Sequence, residues 1–289
     1  MHKVAAETIA AQLAEVRSCP DSDGSQVAGG PALSTTLKVL SVPLGSDWLS
    51  ITPRNFVGAG VTRFALNPYL TILRTTDSLT LYGNFNDHSV ELQDGDTTDV
   101  AMDAQGTAAA GDFIYVGATV PFRGVAVTVG TDPQNTASVL TVNYWNGAWT
   151  AISETDGTET GGNTTFAQTG NVTWTVPATW TLASLQHIGD VTASAAAFRD
   201  NWTIKSSLIV PLYWTRWEFS ATTEATWNVS QMKSLNRSTA YAELLEGQTF
   251  EQSIQSEGPG GFACVEALTD AGTANVVINA AVGRGESFN

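Results

Sequence analysis

The sequence predicts a mainly β protein: a β-sandwich or jelly-roll module inserted in, or following, a second β-rich domain, with a short helix at the N-terminus. Three observations predict it. Short runs of alternating apolar and polar residues recur along the chain, separated by Gly, Pro and Asn. Charged residues make up only 14% of the chain, well below the ~25% usual for soluble domains, so Thr, Ser, Asn, Gln and Gly must cover the surface. Eight of the nine tryptophans lie between Trp145 and Trp227, as a large aromatic core requires.

The N-terminal residues 4–17 read as a helix, because Ile9, Leu13 and Val16 recur at helical spacing with Ala between them. About 14 residues is marginal for a helix alone in water. Its stripe of Ile9, Leu13 and Val16 therefore needs a surface, in its own domain or on a neighbouring subunit. Residues 18–32, rich in Gly, Pro, Ser and Asp, read as a linker. Segment 1–32 is thus a tethered helix.

Residues 33–110 read as short strands at 36–42, 61–65, 69–75 and 78–83. Turn signals punctuate them at Pro43-Leu44-Gly45, Gly58-Ala59-Gly60 and Asn67-Pro68. Residues 94–111 are polar and loop-like. A more regular block, 111–234, follows. Its strands are 113–116, 125–129, 138–145, 172–176 and 208–220. Leu140, Val142 and Tyr144 share one face of theirs, and Val172, Trp174 and Val176 one face of another. Asn146-Gly147 between Trp145 and Trp149 predicts a tight hairpin with both turn residues at positive φ. In the tail, 240–246 is helix-compatible, while 262–268 and 274–281 are strand-like. If these return to the first sheet, residues 33–110 and 235–289 form one discontinuous domain around the sandwich.

Charge excludes two classes of partner. The formal net charge is −15. Between residues 75 and 204 only Arg123 and Arg199 are basic, against fourteen acids. Phosphate backbones need clustered Lys and Arg, so nucleic-acid binding is not expected, and an anionic membrane repels such a surface. No apolar run approaches the ~20 residues of a membrane-spanning helix. Glu7, Gln12 and Glu15 interrupt any signal-peptide core, so export by that route is not expected, whereas release by lysis fits.

Catalytic patterns are not legible. His2, His88 and His187 belong to no metal or nucleophile motif. Glu154, Asp156 and Glu159 read as solubilising loop acids. Asp94, Asp96, Asp99 and Asp103 form an oxygen-rich loop of the kind that binds Ca²⁺, but the spacing lacks the glutamate that closes an EF-hand. The expected reading is a solvated acidic loop, with no cofactor, and structural Ca²⁺ as the weaker alternative. Cys19 and Cys264 show no metal spacing and read as two thiols, with a single long-range disulfide as the alternative. Tyr144 and Trp145 are adjacent in a strand, so one ring faces each side. Trp145 and Trp149 are therefore the candidate partner-facing rings.

Two runs carry a family resemblance. One is 137–153, Ala-Ser-Val-Leu-Thr-Val-Asn-Tyr-Trp-Asn-Gly-Ala-Trp-Thr-Ala-Ile-Ser. The other is 165–180, Thr-Phe-Ala-Gln-Thr-Gly-Asn-Val-Thr-Trp-Thr-Val-Pro-Ala-Thr-Trp. Together they resemble a sandwich module of tailed-bacteriophage structural proteins. Leu-Tyr-Trp-Thr-Arg-Trp-Glu-Phe at 212–219 matches the strand that closes it, and the resemblance covers roughly 111–222. It implies a virion location and no catalytic residues. The expected role is a capsid-associated accessory protein, a decoration, cement or head-fibre component. It would bind other virion proteins, the major capsid protein first, as a homo-oligomer. The alternatives are a tail-fibre or baseplate component, or a carbohydrate-binding adhesin module presenting Trp145 and Trp149 to a host glycan.

Overall fold

A computed structural model describes residues 16–18, 30–43, 45–75, 85–95, 98–161, 163–188, 210–235, 242–256 and 258–282. The fold is mainly β, built from several antiparallel sheets. The chain parts into two compact units: Met1–Asn67 with Ser238–Asn289, and Pro68–Arg237.

The first unit takes strands from both ends of the chain. The leading strands are β1 (Val16–Ser18), β2 (Ala32–Leu33), β3 (Lys38–Ser41), β4 (Ser46–Val57) and β5 (Thr62–Pro68). The tail adds β18 (Ala242–Leu244), β19 (Phe250–Ser253), β20 (Phe262–Thr269) and β21 (Thr273–Val282). One sheet runs β1-β21-β4-β19, with β2 also on β21, and the other runs β18-β5-β20-β3. Both feed one core. Leu49, Ile51, Val276, Ile278 and Ala280 come from the first sheet, and Leu40, Phe64, Leu244, Val265 and Ala267 from the second. The period-two spacing within each set is what puts one side of each strand inward.

Three features depart from the sequence expectations. The twelve-residue β4 contains Pro53, a residue that argues against a central strand. Pro53 sits opposite Val276 of β21, two residues beyond Ile51, where the pairing with β19 ends. The strand has one ladder neighbour there, so the missing N–H is tolerated. Residues 242–244 form a strand, not a helix: Ala242, Glu243 and Leu244 pair with Phe64, Arg63 and Thr62, and the buried Leu244 secures that pairing against local helix propensity. At the N-terminus, Val16 and Arg17 lie in a strand opposite Ala281 and Ala280, where a helix was expected. The rest of that helix, Ile9 and Leu13 included, lies outside the described residues, as does the expected strand at 78–83.

The turn before β21 carries a pH-dependent contact. Asp270 Oδ1 accepts hydrogen bonds from the backbone N–H of Gly60 (2.9 Å), Val61 (3.0 Å) and Ala271 (2.9 Å). These bonds, Val61 and Gly60 foremost, hold its carboxyl below the ordinary aspartate range. Because the folded pKa is depressed, the stabilisation is present above the unfolded value and is lost as pH falls through the folded one. Asp270→Asn is therefore expected to be less stable than the parent at neutral pH. The gap should begin to close as pH falls below about 4 and close fully only below the depressed folded pKa, as denaturation at a series of pH values will show.

The second unit contains β6 (Thr71–Thr75), β7 (Phe85–Asp87), β8 (Val100–Ala101), β9 (Ile114–Ala118), β10 (Gly124–Val129) and β11 (Leu140–Trp145). It continues with β12 (Trp149–Ala151), β13 (Thr155–Asp156), β14 (Gly170–Thr173), β15 (Leu182–Ala183), β16 (Leu212–Phe219) and β17 (Asn228–Leu235). The larger sheet runs β12-β11-β16-β9-β6-β7, with β15 on β16, and the smaller runs β13-β14-β10-β17-β8. The boundary expected at 110/111 moves to 67/68. The reason is pairing: β6 bonds to β9 and to β7, and β8 bonds to β17.

Both sheets line one buried cluster. Ile114, Val116, Val142, Tyr144, Trp217 and Phe219 enter from the larger sheet, and Val125, Val127, Val172, Val229 and Met232 from the smaller. Trp174, Trp180, Trp227 and Phe166 fill it from connecting segments. The hairpin at Asn146-Gly147 has a different turn from the one expected. Trp145 pairs with Trp149 across three residues, Asn146, Gly147 and Ala148, and of the first two only Gly147 takes a positive φ (104°). A three-residue loop needs one such residue, not two.

Candidate functional site

The larger sheet of the second unit has an inner face, on the shared core, and an outer face with its own chemistry. Alternation assigns residues to each. On β16, Tyr213, Trp217 and Phe219 belong with the inner cluster, while Leu212 and Trp214 belong to a second cluster with Leu73, Phe113, Tyr115, Leu185 and Ile188. On β11, Tyr144 turns to the inner core and Trp145 to the second cluster, which is the split that adjacency requires.

Register then brings distant residues together on the outer face. Arg216 of β16 stands opposite Asn143 of β11 on one side and Tyr115 of β9 on the other. Its guanidinium carbon lies 4.5 Å from the Phe113 ring centroid and 4.8 Å from that of Trp149, a cation stacked against two aromatic faces. The Glu218 carboxylate accepts from Arg216 Nε (2.8 Å) and Nη2 (2.5 Å), and from Asn143 Nδ2 (2.9 Å). Trp149 also meets Tyr115 at 5.9 Å and Trp145 at 5.2 Å, the latter edge to face. Trp145 and Trp149 are half-buried. The indole Nε1 of Trp149 is buried and has no hydrogen-bond partner among the described residues. This array offers stacking surface and hydrogen-bonding groups.

The Arg216–Glu218 pair is mostly buried, with side-chain exposures of 14% and 19%. Removing one member of such a pair costs more than replacing both. Glu218→Ala is expected to lower stability by about 1–3 kcal/mol, and Arg216→Met with Glu218→Leu should recover most of that loss in urea denaturation.

The other sequence candidates do not join this face. Trp174, Trp180, Trp217 and Trp227 are buried in the inner core. Asp99 Oδ2 accepts from the backbone N–H and hydroxyl of Thr131. Asp103 pairs with Arg74 at 2.8 Å. Asp96 lies outside the described residues. Of the three described acids, Asp94, Asp99 and Asp103, the last two each hold such a contact, and among the described residues no group of three or more His, Cys, Asp or Glu could hold a metal ion. His88 Nδ1 meets Glu91 at 2.9 Å, and His187 Nδ1 meets the hydroxyl of Ser184 at 2.5 Å; both contacts join residues three apart in sequence. Cys264 is buried on β20 opposite Ser41, and Cys19 lies outside the described residues.

Sequence reasoning found Trp145 and Trp149 but missed Phe113, Tyr115, Asn143, Arg216 and Glu218. The signal for part of the set was present. Leu212-Tyr-Trp-Thr-Arg-Trp-Glu-Phe219 alternates, so Trp214, Arg216 and Glu218 share a face. Comparison with known protein families, with curated proteins and with solved structures returns no match.

Proposed function

We propose that the chain is a virion structural protein of a tailed bacteriophage, a capsid-associated accessory protein whose second unit is a β-sandwich of the jelly-roll kind. One observation carries the reading. The segments that bear the phage-module resemblance, 137–153, 165–180 and 212–219, supply one continuous aromatic core. Trp174 meets Trp217 edge to face at 6.5 Å, and Trp180 meets Tyr144 at 6.3 Å and Tyr213 at 5.8 Å. Motif residues spent on packing suit a scaffold rather than a catalyst. The low charge density and acidic balance suit a Thr-rich exterior that repels nucleic acid.

The major capsid protein is the partner this reading favours, with the chain acting as a homo-oligomer at capsid symmetry positions. A density map of particles tests it. Density repeating with the capsomers supports the capsid role, and density confined to one vertex or the tail moves the chain to a fibre or baseplate.

The Trp145–Trp149 pair favours a second reading, a carbohydrate-binding module. Two half-buried rings side by side at the sheet edge could take one face of a sugar. Glycan-array binding abolished by Trp149→Ala would support it, and equal binding by parent and variant would count against it.

A further inference from the structure

We propose that Val16–Ser18 is an exchangeable strand, able to leave its own β21 and pair with the β21 edge of a second copy of this chain. β1 and β2 both lie antiparallel on one edge of β21. Val16, Arg17 and Ser18 face Ala281, Ala280 and Asn279, and Ala32 and Leu33 face Asn275 and Ala274. The two acceptor sites are four residues apart on β21, about 13 Å. The sequence joining them is far longer. Thirteen residues separate Ser18 from Ala32, and such a length spans about 45 Å when extended. The connection therefore does not force β1 onto the β21 of its own chain.

β2 is held to its own chain by more than the ladder. Beside β2, the Val276 N–H donates to the Pro31 carbonyl (3.1 Å) and Asn275 Nδ2 donates to the Gly30 carbonyl (3.1 Å). Leu33 is buried in the core of the first unit. β2 thus stays with its own chain. β1 adds three residues at the sheet edge, and a three-residue edge strand is a weak, replaceable element. A second copy offers the same backbone partners in the same register, so exchange changes no contact and is driven by concentration. A second copy is the occupant this edge fits best, because its β21 accepts residues 16–18 by construction. The inference stands apart from the capsid reading and needs no capsid.

Its test uses the full chain with Cys19→Ser and Cys264→Ala as background. Ser18→Cys is placed on one preparation and Asn279→Cys on another, and the two are mixed under mild oxidation. A disulfide between them forms only by exchange. The expected result is a covalent heterodimer on non-reducing gels whose yield rises with protein concentration. In parallel, light scattering should show a concentration-dependent mass for the full chain and a monomer mass at every concentration after residues 1–18 are removed. Two outcomes overturn the proposal. One is no heterodimer on mixing while Ser18→Cys and Asn279→Cys on one chain link within it. The other is no link in either format with the folded circular dichroism spectrum retained, which would mean that residues 16–18 do not sit on β21 at all.

Discussion

Trp217→Ala is expected to destabilise the second unit by about 3–5 kcal/mol, measured as a shift in the chemical denaturation midpoint with an unchanged slope. Trp217 is completely buried. Its ring lies 6.1 Å from Phe166 and 6.5 Å from Trp174, which enter from connecting segments on the far side of the core. Truncation opens a cavity between rings that cannot all move to fill it. A polar cost adds to this. Trp217 Nε1 donates to the Thr215 hydroxyl at 2.9 Å, and that hydroxyl donates to the Val116 carbonyl at 3.0 Å. Trp217→Phe keeps most of the volume and should cost less than half as much. Trp149→Ala, at a half-buried position, should also cost less. A Trp217→Ala penalty below about 1 kcal/mol would contradict a single core shared by the two sheets.

Gly117→Ala is expected to cost about 1–3 kcal/mol, and Gly117→Val to prevent folding of the second unit. Gly117 lies in β9 directly opposite Trp214 of β16. A Cβ there would lie 2.5 Å from Trp214 Cε3, 2.7 Å from Cζ3 and 2.8 Å from Cδ2. The ring has little freedom to yield, because Trp214 is fully buried and its Nε1 donates to the Ala183 carbonyl at 2.9 Å. Adding a methyl therefore pushes the ring out of the second cluster and breaks that bond. Pairing Gly117→Ala with Trp214→Leu should recover part of the loss, since the smaller side chain leaves room for the new methyl. A neutral Gly117→Ala would show that the ring does not lie over this glycine.

The period-two pattern made the best of the fold legible. Residues 140–145 and 212–219 show it plainly, and there both faces of a sheet could be read, down to the split of Tyr144 from Trp145. β17 was not legible, because Gln231 and Lys233 alternate with Ser230, Met232 and Ser234 and all five are buried. A strand whose two faces are both covered carries no inside-outside contrast. β4 was hidden by Pro53, whose tolerance depends on where β19 stops. Residues 242–244 look helical until Leu244 finds the core. The outer-face cluster was legible only in pieces. Phe113, the hairpin that carries Asn143 and Trp149, and Arg216 are far apart in sequence, and only the order β12-β11-β16-β9 sets them side by side. Alternation reads the face of a strand, not its neighbours.

The most direct measurement is co-sedimentation of the purified full chain, and of a form lacking residues 1–15, with capsids assembled without the protein. That deletion leaves β1 and β2 intact and removes two of the three apolar residues expected to dock, Ile9 and Leu13. The account predicts saturable binding of the full chain at a fixed ratio to the major capsid protein, weakened in the shortened form. Absence of capsid binding by both forms, with both folded, would contradict it.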